Sequence, residues 1–330
     1  MNIGSSSLRA LAGACLALLS SVASADDGCR GPLDQHSISF ISFQSPNLAA
    51  TSPAQALLTI EGKLSLPAPS VTPWRCDRGP HHRKMAAVVI LHGSSGVDSR
   101  GDFYEAALNA EGIATLQIDM WQARGVTGIA DRPAAPILTY PDAFSALAFL
   151  AARADIDPDR IGVLGFSWGG VVSLATAEQL YTGEFGGGRR FAAHVANYPV
   201  CWGANNTSIP ALNPPAQKGT QFLHLTGAPV LIQIGSKDSY DNGTAHCVAL
   251  AAAVNPTNGN VVSVNQYPGA THAWDRLMVP ETALDPFADE GSYFRTGVLP
   301  TVVITPDVAQ AYESRERVAR FFKKNLADRH

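Results

Sequence analysis

The chain has 330 residues, with 24 Lys and Arg against 28 Asp and Glu, for a net charge of −4. That balance offers no basic surface to a nucleic-acid partner or an anionic membrane. Hydrophobic residues make up 46% and charged residues 16%, which excludes a disordered chain and supplies a sizeable core.

The first 25 residues stand apart. Arg9 is the only charged side chain before Asp26, residues 11–19 form a short apolar run, and Ala23-Ser24-Ala25 supplies the small residues of a signal-peptidase site. So short a run does not span a bilayer permanently, which takes ~20 residues. The other reading is a buried amphipathic N-terminal helix. The expectation is a signal peptide over 1–25, one domain over 26–330, and an exported protein, periplasmic or secreted, without stable membrane insertion.

Removing that segment leaves Cys29, Cys76, Cys201 and Cys247. An even number in an oxidising compartment favours two disulfides. Three pairings exist, and Cys29–Cys76 with Cys201–Cys247 is expected. None of the four has a nearby Cys or His at zinc-ligand spacing, so no structural metal is expected; no cofactor is expected either.

Residues 37–43 and 57–66 fit an antiparallel hairpin at a sheet edge. Residues 85–91 (MAAVVIL) form a continuous apolar run suited to a strand buried on both faces. Residues 103–110 read as helix, closed by Gly112, and 113–118 as the next strand. Residues 142–153 repeat apolar side chains at helical spacing. Strand 161–166 and helix 169–181 follow, then strands 191–198 and 229–234, helix 244–254, strand 261–267 and helix 308–326. Such alternation predicts an α/β fold, a doubly wound and mostly parallel sheet with helices on both faces. Residues 122–140, 203–227 and 276–306 break the pattern with Pro, Gly and Asp, and read as loops of the binding rim or a partial lid.

Gly165-Phe166-Ser167-Trp168-Gly169 is a Gly-x-Ser-x-Gly motif between a strand and a proline-free helix, the context that a nucleophile elbow requires. A hydroxyl nucleophile needs a base and an orienting carboxylate. Asp238 and then His272 fall just past predicted strands, on the edge where Ser167 lies. Asp241 is the rival acid; His246 and His224 are the rival bases. Two backbone donors must hold a developing oxyanion. Trp168 supplies one, and the turn after strand 85–91 the other, from Ser94 or its competitor Ser95. His92 is read as a prop for that turn. Trp121, Tyr140, Trp202 and Trp274 are the candidate walls of an acyl or aromatic pocket, each with core packing as the alternative. Arg124 reads either as a ligand for a substrate carboxylate or as a loop arginine.

The stretch Asp157-Pro158-Asp159-Arg160-Ile161-Gly162-Val163-Leu164 leading into the elbow, with residues 235–238 and 269–274, resembles the dienelactone hydrolase family of the α/β hydrolases. The likeness spans roughly residues 50 to 327. It implies a compact core with little or no cap, a Cys or Ser nucleophile, and small ester or lactone substrates. The chain departs from the name-giving enzymes in two ways: Ser167 replaces their cysteine, and Gly93 stands where they place a glutamate. These differences point to a general serine carboxylesterase or lactonase rather than to dienelactone itself. Two alternatives remain on the same scaffold: a serine peptidase or amidase, and a secreted binding module without catalysis.

Overall fold

Met85–Leu91 carries no polar side chain, so both of its faces must be covered, and the chain covers them with helices. The computed structural model describes residues 37–67, 84–209, 212 and 220–327. The expected signal peptide and the expected Cys29–Cys76 pair lie outside them.

In chain order the elements are β1 (Ser37–Pro46), β2 (Leu57–Leu66), β3 (Met85–Leu91), α1 (Ser99–Ala110), β4 (Ala114–Asp119), α2 (Tyr140–Ala151), β5 (Ile156–Phe166), α3 (Trp168–Ala177), α4 (Gln179–Phe185), β6 (Ala193–Asn197), β7 (Val230–Lys237), α5 (Ala245–Val254), β8 (Val262–Thr271), β9 (Glu281–Leu284), α6 (Tyr293–Thr296), β10 (Thr301–Ile304) and α7 (Val308–Asn325). Eight strands form one sheet in the order β1-β2-β4-β3-β5-β6-β7-β8. β1 pairs antiparallel with β2, and β2 antiparallel with β4. From β4 to β8 every pairing is parallel. This is the doubly wound, mostly parallel sheet that the alternation implied, with the N-terminal hairpin at its edge.

Alternate residues of the central strands face opposite ways. Val88, Ile90, Leu164, Val195 and Ile232 pack with α1, α5 and α7 on one face. Val89, Leu91, Leu116 and Val163 pack with α2 and α3 on the other. Each buried aliphatic side chain contributes roughly 1.5–3 kcal/mol. These two clusters, more than helix propensity, hold the helices in place.

Three expectations change. The helix expected over 169–181 is two helices, broken at Glu178, whose backbone is extended (φ −79°, ψ 134°). The buried Glu178 carboxylate accepts the Leu223 and His224 amides at 2.8 Å each, and Leu225 bridges to Glu178, so a distant segment docks into the break. β5 begins five residues before the expected start, because Met85 pairs with Ile156 ahead of a register shift. Residues 276–306 are not plain loop: β9 and β10 form a two-stranded sheet there, with α6 between them. Strands of four residues are too short to leave a periodic trace in the sequence.

Among the described cysteines, Cys201 and Cys247 form a disulfide with Cα atoms 5.1 Å apart, tying the turn after β6 to α5. Among the described residues no helix is long and apolar enough to cross a membrane.

Candidate active site

The elbow begins with two close approaches. A Cβ on Gly165 would fall 1.9 Å from the Gly169 carbonyl oxygen, and one on Gly169 would fall 2.3 Å from the Leu91 carbonyl oxygen. Only glycine fits at either place. Between them Ser167 adopts φ 51°, ψ −110°, a conformation that L-residues rarely hold. The strain lifts its hydroxyl off the end of β5, with its amide bonded to the Asn197 carbonyl at 2.9 Å.

The other two expected residues meet it there. His272 Nε2 lies 2.9 Å from Ser167 Oγ, and His272 Nδ1 lies 2.7 Å from Asp238 Oδ2. A carboxylate only accepts, so Nδ1 carries the proton and Nε2 is free to accept from the serine. The remaining Asp238 oxygen accepts the Tyr240 amide at 2.8 Å. All three side chains are buried, Ser167 at 7% and His272 at 2% exposure. The imidazole sits between the rings of Tyr240 and Tyr198, at centroid distances of 4.1 and 4.7 Å.

The rivals are engaged elsewhere. Asp241 accepts the Cys201 and Trp202 amides at 2.9 and 2.7 Å, anchoring the turn behind the disulfide. Burial, and then the Asp238 carboxylate, push its pKa up to about 7. His246 pairs with Glu290 on the surface at 3.1 Å, and His224 is exposed. Among the described residues one group lies close enough to share a metal ion, Cys201, Asp241 and Cys247, but its two sulfurs are bonded to each other.

Ser94, Ser167 and Trp168 line one pocket of about 630 Å³, whose other walls include Tyr140, Val171, Leu174, Trp202, Phe222, Tyr240 and Phe287. Among the described residues neither the Trp168 nor the Ser94 amide has a hydrogen-bond partner. Ser95 is exposed and lines, with Trp121 and with Ser94 itself, a second groove of about 990 Å³. His92 braces the turn: its Nε2 accepts the Met120 amide at 2.9 Å, which leaves Nδ1 to donate to the Gly93 carbonyl at 2.8 Å.

Of the four aromatic candidates, Tyr140 and Trp202 face the pocket, whereas Trp121 packs edge-on against Trp168 and His92. Trp274 does not reach it. That residue is fully buried between Tyr198 and Tyr267, because the chain turns inward after His272 through Ala273 at φ 51°. Arg124 is a structural arginine: it binds buried Asp142 and the Met120 and Leu138 carbonyls.

The dienelactone hydrolase family model matches residues 78–324, three quarters of the chain and the whole of the site just described. The chain belongs to the dienelactone hydrolase family. It is similar to YtaP of Bacillus subtilis (strain 168), a protein named as a hydrolase, with 30% identity over 145 residues. That match takes in 37% of this chain and 46% of the relative, so the chain spans about half the length of the curated relative it matches. Two solved structures share the fold. An esterase from the Planctomycetes species Thermogutta terrifontis, with propionate bound, gives a TM-score of 0.56 at 14% identity, covering 88% of this chain and 96% of that one. A dienelactone hydrolase homologue from Klebsiella pneumoniae subsp. pneumoniae MGH 78578 gives 0.51 at 15%, covering 86% and 98%.

Within this member of the dienelactone hydrolase family, several residues at the site escape sequence reasoning. Arg132, 5% exposed in its side chain, forms a two-pronged pair with Asp285 at 2.8 Å on both contacts and reaches Ser94 Oγ at 2.8 Å. Tyr240 Oη donates to the same Asp285 at 2.9 Å. Below the imidazole, Asp275 accepts from Tyr198 and Tyr104 at 2.6 Å each, and Arg100 donates to Tyr198 Oη at 3.1 Å. Burial pushes the Asp275 carboxyl up against the pull of Arg100. Tyr240 and Asp275 stand two and three residues past Asp238 and His272, the only signal that the sequence offers for either.

Proposed function

We propose that the chain is a serine hydrolase of small carboxylic esters or lactones, working through an acyl-enzyme. The observation that carries this is the strained Ser167 whose hydroxyl lies 2.9 Å from His272 Nε2, with Asp238 behind the ring. As His272 takes the proton from Ser167, Oγ bonds to the ester carbonyl carbon. The resulting oxyanion is held by the Trp168 and Ser94 amides. The carbon–alkoxy bond then breaks, and His272 returns the proton to the departing alcohol. Water repeats the two steps and frees the acid, while Asp238 keeps the ring in one tautomer.

Support for an uncharged acyl group comes from the pocket wall, where Val171, Leu174, Phe222 and Phe287 are apolar and the Arg132 charge is matched by Asp285. Export is part of the proposal: residues 1–25 have the form of a signal peptide, and a disulfide such as Cys201–Cys247 persists in oxidising compartments. Replacing Ser167 by Ala is expected to leave the fold intact and lower p-nitrophenyl acetate turnover by on the order of 10⁶-fold, to the level left by the oxyanion donors and binding. Unchanged turnover in that variant overturns the proposal.

A further inference from the structure

The turn over residues 93–96 lies against the nucleophile: a Cβ on Gly93 would fall 3.4 Å from Ser167 Cβ, and Gly96 N closes the turn on the Gly93 carbonyl at 3.0 Å. Ser94, next in the turn, faces the same pocket as Ser167. Its hydroxyl oxygen accepts from Arg132 Nη1 at 2.8 Å. A guanidinium can only donate, so this bond fixes the Ser94 oxygen as acceptor and leaves its hydrogen for another partner. Among the described residues nothing takes that hydrogen.

The arm that holds the hydroxyl is itself held. Arg132 Nη1 gives its second hydrogen to Asp285 Oδ2, and Nη2 donates to Oδ1, both at 2.8 Å. The guanidinium also lies over the Trp168 and Phe287 rings, at 5.7 and 5.2 Å. Ser94 is half-buried and lines the pocket, so the hydrogen left over is available to whatever group enters beside Ser167.

We propose that the Ser94 hydroxyl is a third donor to the oxyanion, polarised and aimed by Arg132 as a positioning residue. The inference rests on the serine-hydrolase reading above. A hydrogen bond to a charged group draws the donor hydrogen further from its oxygen, and a guanidinium on the lone pair strengthens that donor. Three donors suit an oxyanion better than a ground-state carbonyl, so the gain falls in the transition state.

The test compares Ser94→Ala, Ser94→Thr, Arg132→Met and the Ser94→Ala/Arg132→Met double variant on p-nitrophenyl acetate, with Ser167→Ala as control. Ser94→Ala, which keeps the backbone amide, is expected to lower kcat by on the order of 10²-fold with KM little changed. Ser94→Thr is expected to restore most of the rate. Arg132→Met is expected to lower kcat in the parent and to add little once Ser94 is Ala, because one interaction is lost only once. A wild-type kcat in Ser94→Ala, or fully additive losses in the double variant, overturns the inference while leaving the serine-hydrolase reading in place. Turnover retained in Ser167→Ala overturns that reading, and this inference with it.

Discussion

Ser167, Asp238 and His272 are each the first residue beyond a parallel strand, β5, β7 and β8 respectively, whereas the pocket beside them is walled by α3 and by irregular segments that include Arg132 and Phe287. The triad therefore takes its spacing from the sheet, whose strands lie ~4.8 Å apart by backbone hydrogen bonding. Arg132 and Asp285, by contrast, meet across 153 residues through side chains alone. The first arrangement is fixed by the core and indifferent to substrate. The second rests on a few loop residues, so it can change without moving the three side chains at the strand ends.

The sharpest way to break this division is on the triad side. Asp238→Asn is expected to lower kcat by on the order of 10⁴-fold, because the amide favours the wrong tautomer of His272. The factor should be the same for short and long p-nitrophenyl esters. A factor that varies strongly with acyl length would join the two regions.

Next in size is the fastening of the pocket wall. The Cys201–Cys247 bond closes a loop of 46 residues and holds the turn that carries Trp202. Replacing both cysteines by Ser is expected to cost about 2–4 kcal/mol in urea unfolding. In kinetics it should move KM more than kcat. Equal losses in kcat for every ester would contradict a wall-only role.

Two buried groups, one in each region, make stability depend on pH. His194, under α3, is held neutral, its pKa pulled from 6.5 down to about 3 by burial. A depressed pKa means stability present above 6.5 and lost as the pH falls toward 3. Asp241, behind the pocket, is raised from 3.8 to about 7, so what it contributes in acid is lost as the pH rises through about 7. His194→Gln should flatten the acid limb of a stability profile measured by urea unfolding, and Asp241→Asn the neutral limb. Unchanged limbs would remove either group from the account.

The same division explains what the sequence discloses. The strands at residues 85–91, 161–166 and 229–234 were legible because runs buried on both faces are almost wholly apolar, Gln233 being the one polar side chain among them, and the elbow because its glycines face backbone within van der Waals contact. Ser167, Asp238 and His272 could be named because strand ends are marked in the sequence. Arg132 and Asp285 could not, since a loop arginine and a loop aspartate look alike whether solvated or paired. Trp274 misled because position past a strand says nothing about which way a side chain turns. The break at Glu178 depends on a segment more than 40 residues away, beyond any local pattern.

The central claim is that Ser167 is the one hydroxyl made nucleophilic by this fold. Treating the protein with a fluorophosphonate and mapping the adduct by peptide mass spectrometry tests it directly. One phosphonyl group on the peptide bearing Ser167, lost in His272→Ala, is the predicted result. No adduct, or an adduct on another serine with Ser167 unmodified, would contradict it.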